Sequence, residues 1–248
     1  MNDVVRSEWI KMRTVRVNFV LGIAAGAFPI IVVVLISSLT SDLAEAGDDL
    51  VGAVTGTMLV TALLLGVIGA LNLTSEYSHN TIRTSFAAVP QRRNMLVAKA
   101  GVSFVACVVY AAVIELITFG LGSAILNGRD ADVELSGRDK AAMVGLVALV
   151  GLLVLLGFGL GMIIRNSPAT ITTFILWPLL LESIIHGVLS AAGVDNPTPW
   201  LPYQSAFTMA KPDPDPGDPG RLRAGLFLAL IVLALLVIGI AVNERRDA

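Results

Sequence analysis

The stretch AAMVGLVALVGLLVLLGFGLGMII, residues 141–164, decides the fold because it is apolar throughout and contains no charged residue. A helix needs about 20 such residues to cross the hydrocarbon core of a bilayer. The composition of the whole chain agrees: its 248 residues are 55% hydrophobic and 15% charged, whereas soluble domains carry about 25% charged residues. The sequence therefore predicts an integral membrane protein.

Five further apolar stretches predict an all-α polytopic protein with six transmembrane helices. The six stretches are residues 17–39, 50–73, 98–126, 141–164, 169–193 and 222–242. The first is not followed by a small-residue cleavage site, so we expect it to be retained rather than removed as a signal peptide. No hydrophilic stretch is long enough to fold alone, and residues 1–248 are expected to form a single transmembrane domain.

The basic residues are divided unequally between the two sets of connections that flank the spans. One set contains 11 Lys and Arg and consists of residues 1–16, 74–99, 165–168 and 243–248. The other contains 6 and consists of residues 40–49, 127–140 and 194–223. By the positive-inside rule the first set faces the cytoplasm, and both termini are expected there.

Two segments outside the spans have a composition of their own. Residues 2–16 place Val5, Trp9 and Met12 on one helical face, which predicts an N-terminal interfacial helix on membrane lipid; an ordinary positive flank is the alternative. The external loop 194–220 is aromatic and apolar in its first half and too rich in proline for a helix in its second. Its first half is interpreted equally as a membrane-dipping piece or as an aromatic belt.

The sequence lacks the motifs of soluble catalysis. There is no phosphate-binding loop of the GxxxxGK[ST] type, no HExxH and no GxSxG, so the chain is not expected to be an enzyme or to hydrolyse ATP by itself. Two histidines and one cysteine are too few for a tetrahedral zinc site without carboxylates, and we expect no bound metal or cofactor. A net charge of −2 leaves no basic surface for nucleic acid.

The connection between the second and third spans, residues 74–97, is the most informative one. Ile82, Phe86 and Val89 follow one another at the spacing of a helical face, which predicts a short amphipathic helix that ends before Pro90. Such a helix either lies on lipid headgroups or inserts into a cytoplasmic partner. The residues alone support the two interpretations equally.

Two acidic residues, Glu115 and Glu182, lie within predicted spans, where a carboxylate facing lipid is costly. Glu182 and His186 are four residues apart and are expected to be able to share a proton or a hydrogen bond. The functional interpretation is a polar feature of a translocation path or of a contact between spans. The alternatives are a water-reached position for Glu182 and His186, and burial against another span for Glu115.

The loop also resembles the first cytoplasmic loop of permease subunits of the type-2 exporter class of ATP-binding cassette (ABC) transporters. The similar residues are Glu76 and Tyr77, NTIR at 80–83, AAVP at 87–90, Arg93, and Ala98 with Lys99. The start of the chain, SEWIKMRT at 7–14, is similar to the same family. So are PWLPYQ at 199–204 and the six-span layout.

This resemblance implies a coupling helix that docks on a separate ABC ATPase subunit, with ATP and Mg²⁺ bound by that partner. The implied coupling residues are Glu76, Ile82, Arg83, Phe86 and Val89. A second permease copy or a related permease would complete a path through the cell membrane of a bacterium. The function that follows is transmission of ATP-driven movement to an exported substrate.

Two other classes of function remain open on the sequence. An ion-coupled secondary transporter would use Glu115, Glu182 and His186 as a proton relay, although such proteins usually show related halves or paired broken helices. A membrane anchor or assembly factor would leave the acidic residues within the spans unexplained.

Overall fold

The structure is a computed structural model, and it describes residues 2–78 and 92–245. The described residues form helices and contain no strand, as predicted. The α-helices are α1 (Asn2–Thr14), α2 (Arg16–Leu39), α3 (Leu43–Ser78), α4 (Arg92–Asn127), α5 (Gly137–Ile164), α6 (Ser167–Leu176), α7 (Glu182–Ala191), α8 (Pro202–Phe207) and α9 (Arg221–Arg245). Three-residue 3₁₀ turns, Thr198–Trp200 and Thr208–Ala210, flank α8.

Among the described residues, six helices are long and apolar enough to cross a membrane, which confirms the predicted number of spans. They are Arg16–Leu39, Glu45–Ser78, Arg93–Asn127, Gly137–Ile164, Ser167–Ala191 and Arg221–Glu244. The second and third contain 34 and 35 residues. At about 1.5 Å per residue each measures about 50 Å, well above the hydrocarbon thickness of about 30 Å. These two helices therefore project beyond the membrane.

The fifth span is interrupted by a π-helix, Trp177–Leu181, that joins α6 to α7. Pro178 lies in this segment and cannot donate a backbone hydrogen bond, which accounts for the local change in winding. The turn between α5 and α6 is sharp because Arg165, directly after α5, adopts the left-handed conformation, with φ of 57°. Asn166 then caps α6 by accepting from the backbone N–H of Ala169 at 3.0 Å.

Helices α3 and α5 form the centre of the bundle. In the most apolar 18-residue stretch of each, 56% and 61% of the residues are buried, compared with 17% in the fifth span and in α9. Their backbones approach closely, because a Cβ atom at Gly157 would meet the carbonyl of Gly66 and one at Gly69 would meet that of Val154. The pair Gly52 and Gly56, by contrast, faces open space within this chain.

The two ends of the bundle differ in what they carry. The end that carries α1, the last turn of α3, the start of α4 and the last turn of α9 is called the proximal end below. The opposite, distal end carries the loops around residues 40–42, 128–136 and 192–220. There, residues 201–210 pack against α5 and α9 with Tyr203 and Ala206 buried, while Trp200 is exposed. The aromatic half of the long loop thus inserts into the bundle.

Candidate functional site

Four of the five residues that the family resemblance implies for coupling lie outside the described residues. They are Ile82, Arg83, Phe86 and Val89. The fifth, Glu76, lies in the last turn of α3, three residues before residue 79. The structure therefore shows how the two ends of this segment are anchored, at Glu76 on one side and at the start of α4 on the other.

Glu76 belongs to a cluster of four charged side chains, Glu8, Lys11, Glu76 and Lys99, called the ionic cluster below. The Lys99 ammonium donates to Glu8 Oε2 and to Glu76 Oε1, the latter at 3.0 Å. The Lys11 ammonium donates to Glu8 Oε1 at 2.9 Å and to Glu76 Oε1 at 3.0 Å. The cluster joins α1, α3 and α4 at the proximal end.

The charges of the ionic cluster sum to zero, and that balance matters because the cluster is largely buried. The side chain of Lys99 is 1% exposed and that of Glu8 is 5% exposed. An isolated charge in such surroundings is strongly unfavourable, so each ammonium requires its carboxylates. Lys11 lies at the edge: burial works against its charge, but the carboxylates of Glu8 and Glu76 outweigh burial and raise the pKa of Lys11 above its ordinary value.

A second cluster, called the Tyr77 cluster below, consists of Tyr77, Arg165 and Asn243. The Tyr77 hydroxyl donates to Asn243 Oδ1, and Arg165 Nη2 donates to the same oxygen at 2.9 Å. The Arg165 guanidinium also lies over the Tyr77 ring, 5.1 Å from its centroid. Asn243 Nδ2 donates in turn to the carbonyl of Gly239 at 2.7 Å. This cluster joins α3 to the turn between α5 and α6 and to α9.

Hydroxyl groups extend the contact between α3 and α6. Ser167 Oγ donates to Thr74 Oγ1 at 3.0 Å and lies 3.1 Å from Ser78 Oγ, on the last residue of α3. Ser167 is also the first residue of α6. The residue from which the 79–91 segment departs is therefore in contact with the start of the fifth span.

Glu182 lies at the distal half of the fifth span and is 1% exposed. Its carboxylate accepts from the backbone N–H groups of Tyr203 at 3.1 Å and Gln204 at 2.9 Å, and from Trp177 Nε1 at 3.0 Å. The two amides belong to the first turn of α8, whose N–H groups have no intrahelical acceptor. Glu182 thus caps α8 from another helix, where its charge also complements the helix dipole.

The structure does not bring His186 to Glu182. His186 is half-buried, and among the described residues the hydrogen bonds of Glu182 go to α8 and Trp177. The i, i+4 spacing allowed a shared proton or hydrogen bond, but the carboxylate accepts instead from the free amides at the start of α8 and from Trp177. Water does not reach Glu182 either, since α8 covers it.

Glu115 is 3% exposed, in the middle of α4. It shares a buried helical face with Cys107, Ala111 and Thr118. Its Oε1 atom has no hydrogen-bond partner among the described residues. Within this chain the carboxyl group is therefore packed against protein, which is the arrangement of the alternative given for Glu115 in the sequence.

Three residues of the ionic cluster, Glu8, Lys11 and Lys99, were not predicted from the sequence as parts of a site. Val5 and Trp9 of the N-terminal helix are exposed, as expected for a face on lipid, but Glu8 of the same helix is buried and points into the bundle. Lys99 offered a signal, because a lysine within the start of an apolar span needs an anionic partner. Only the packing of the helices determines which carboxylates pair with Lys99.

These features define the class: a polytopic helical membrane protein with a buried ionic cluster beside the connection between its second and third spans. Residues 4–176 match the model of the family described as ABC-2 family transporter protein. The match runs from α1 to the end of α6 and covers more than half of the chain, so the chain belongs to this family. It is an ABC transporter permease, a transmembrane transport subunit rather than an enzyme, and the resemblance in its sequence is confirmed. No curated protein matches the chain.

Proposed function

We propose that the chain is the permease subunit of an ATP-driven exporter and that a separate cytoplasmic ATPase subunit binds ATP and Mg²⁺. The proposal is supported mainly by the arrangement of the proximal end, in a chain that belongs to the ABC-2 family. There, the two longest spans project beyond the bilayer and are joined by the 79–91 segment. A segment between two rigid helices is suited to receive a movement from outside the membrane.

The mechanism is mechanical. Closure of the ATPase subunits on ATP would displace the 79–91 segment, and α3 and α4 would carry the displacement into the bundle because helices transmit force along their axes with little bending. The ionic cluster holds the two helices in register at their point of entry. No bond of the cargo is made or broken, and this chain needs no catalytic residue.

A second permease copy is supported by the surfaces that one chain leaves uncovered. Thr172 and Thr173 on α6 are exposed at membrane depth, as is Ser183 on α7, and polar side chains are poorly suited to face lipid. Gly52 and Gly56 on α3 present a bare surface that allows another helix to approach closely. We infer that these faces meet a second copy or a related permease and that the cargo path runs between the two.

The proximal end is assigned to the cytoplasm of a bacterial cell and the chain to its cell membrane. The assignment rests on the excess of Lys and Arg in the connections at this end. Both termini then lie in the cytoplasm, where the ATPase subunit binds. The distal loops and the inserted 201–210 segment then face the outside.

The ion-coupled alternative is less well supported by the geometry. A proton relay through Glu182 requires a carboxylate that can take up and release a proton, but its oxygen atoms accept hydrogen bonds from the backbone of α8 and from Trp177. Protonation would weaken the cap of that helix, because one of the two accepting oxygen atoms would become a donor. Glu182 is therefore better suited to a structural role than to a relay with Glu115 and His186.

The proposal is tested by purifying the tagged permease in lipid nanodiscs after coexpression with the ATPase of a neighbouring reading frame. We expect the two to copurify and the rate of ATP hydrolysis to differ between the complex and the free ATPase, because coupling between two sites is reciprocal. A permease that purifies alone, with an ATPase whose rate is unaffected by its presence, would contradict the proposal.

A further inference from the structure

Two consecutive residues at the end of α3 connect to different parts of the bundle. Glu76 contacts Lys11 of α1 and Lys99 of α4 through the ionic cluster. Tyr77 contacts Arg165 of the turn between α5 and α6 and Asn243 of α9. Neighbouring residues of a helix point about 100° apart, so the two side chains reach different neighbours of α3.

The helices reached through these two residues make up nearly the whole proximal end. The ionic cluster contains α1 and α4, and α1 is bonded in turn to α2, where Asn18 Nδ2 donates to the carbonyl of Met12 at 3.3 Å. The Tyr77 cluster contains Asn243 of α9 and Arg165 of the turn between α5 and α6. Both clusters meet on α3, within the three residues that precede the 79–91 segment.

We propose that Glu76 and Tyr77 are positioning residues that divide the displacement of the 79–91 segment between two sides of the bundle. Glu76 passes it to α1 and α4, and Tyr77 passes it to α9 and the fifth span. The inference rests on the proposed function, because it assumes that the segment is displaced by an ATPase. It adds that the N-terminal helix and the last span move with the coupling segment although neither adjoins it in the chain.

The chemistry of the contacts explains why they suit this purpose better than apolar packing would. Apolar helix faces slide past one another by small shear movements at little cost. A buried ion pair is directional and is strongly unfavourable to separate, because each partner would be left as an uncompensated charge. The shared Asn243 Oδ1, which accepts from both Tyr77 and Arg165, fixes the Tyr77 side in the same way.

The test uses Glu76→Gln and Tyr77→Phe, singly and together, in the complex of permease and ATPase. Glu76→Gln leaves Lys99 paired with Glu8, and Tyr77→Phe keeps the ring beneath Arg165, so each is a near-isosteric change that removes one contact, and thermal unfolding of each variant checks that it folds. The matched control is Tyr110→Phe. It removes a hydroxyl that donates to the carbonyl of Gly22 at 2.5 Å, a contact between spans that lies away from the proximal end.

Movement is read at the distal end, which the variants do not touch. Spin labels are attached to cysteines that replace Glu134 and Ser190, both exposed, in a chain in which Cys107 is alanine. The distance between the labels is measured before and after the ATPase is trapped with ATP and vanadate. Complex yield after purification shows whether docking itself is intact.

We expect trapping to shift this distance in the otherwise unaltered protein and in the Tyr110→Phe control. Each single variant should lose part of the shift and the double variant nearly all of it, at normal complex yield. A full shift in the double variant would overturn the assignment of Glu76 and Tyr77 while leaving the ATP-driven mechanism in place. If even the unaltered permease fails to bind the ATPase or shows no shift, the proposed function falls and this inference falls with it.

Discussion

Lys99 has the most demanding environment of any residue at the proximal end. It carries an ammonium group with 1% of its side chain exposed and depends on two carboxylates from separate helices. Lys99→Met leaves Glu8 and Glu76 with Lys11 alone, so the cluster then has a net charge of −1. Removing one partner of a buried pair costs about 3–5 kcal/mol, and we expect a loss of that order in the free energy of unfolding.

The second half of this prediction is a rescue. In the double variant Lys99→Met with Glu8→Gln, the cluster is neutral again and Lys11 remains paired with Glu76, so most of the lost stability should return. The measurement is thermal unfolding of the purified protein for both single variants and the double variant. If the double variant is as unstable as the sum of the two single ones, the charges do not act as one cluster.

Glu182 gives a prediction that separates a helix cap from a proton relay. In Glu182→Gln the carboxamide keeps one acceptor oxygen and presents an NH₂ group to the amides of α8, so we expect local destabilisation of about 1–3 kcal/mol. Hydrogen exchange at the amides of Tyr203 and Gln204 should become faster. The matched change His186→Gln should leave that exchange unaltered; unchanged exchange in the Glu182 variant would argue for a relay.

Glu115 gives a third prediction at this scale. Because the residue is buried among apolar neighbours in the middle of α4, Glu115→Gln should fold normally. Glu115→Lys should accumulate poorly in membranes, since a long cation finds no equivalent partner at that depth. Membrane fractions are compared by immunoblot at equal expression; equal amounts of the two variants would place Glu115 in a wet cavity instead.

At the scale of the element, the amphipathic helix predicted at 80–89 is the part that should touch the ATPase. Phe86→Ala removes an apolar anchor of the kind that often contributes about 2 kcal/mol or more at an interface. We expect copurification with the ATPase to weaken and transport or resistance to fall. The control is Gln91→Ala, outside the predicted apolar face. Normal complex yield and normal transport in the Phe86 variant would remove the coupling role from this helix.

At the scale of the whole molecule, the orientation predicts which residues an impermeant thiol reagent can reach from outside intact cells. Cysteines at Asp48, Asp132 and Asp215, all exposed in the distal loops or beside them, should be labelled. Cysteines at Ser78 and Asn166, exposed at the proximal end, should be protected, and so should one at Asp247. The native Cys107 is buried and should contribute no background. Labelling of a cysteine at Ser78 would show that the protein has the opposite orientation and would exclude a cytoplasmic coupling segment.

The sequence by itself determined the number of spans and the fold class, because an uninterrupted apolar run of about 20 residues is a local property with one stable outcome in a bilayer. It also indicated that Glu115 avoids lipid, since a carboxyl group within a span cannot face lipid at low cost, but it left burial against another span and a polar path as alternatives. The family resemblance in the loop after α3 was equally local, carried by residues within one short stretch.

Only the tertiary structure decided which polar groups meet. Lys99 pairs with Glu8, 91 residues away, Glu182 caps a helix that begins 20 residues later, and Tyr77 reaches Asn243 across 166 residues. The spacing of residues along one helix cannot predict such pairs, because they depend on how each helix is rotated and which neighbour it faces. A buried polar group must find a partner, but packing alone selects it.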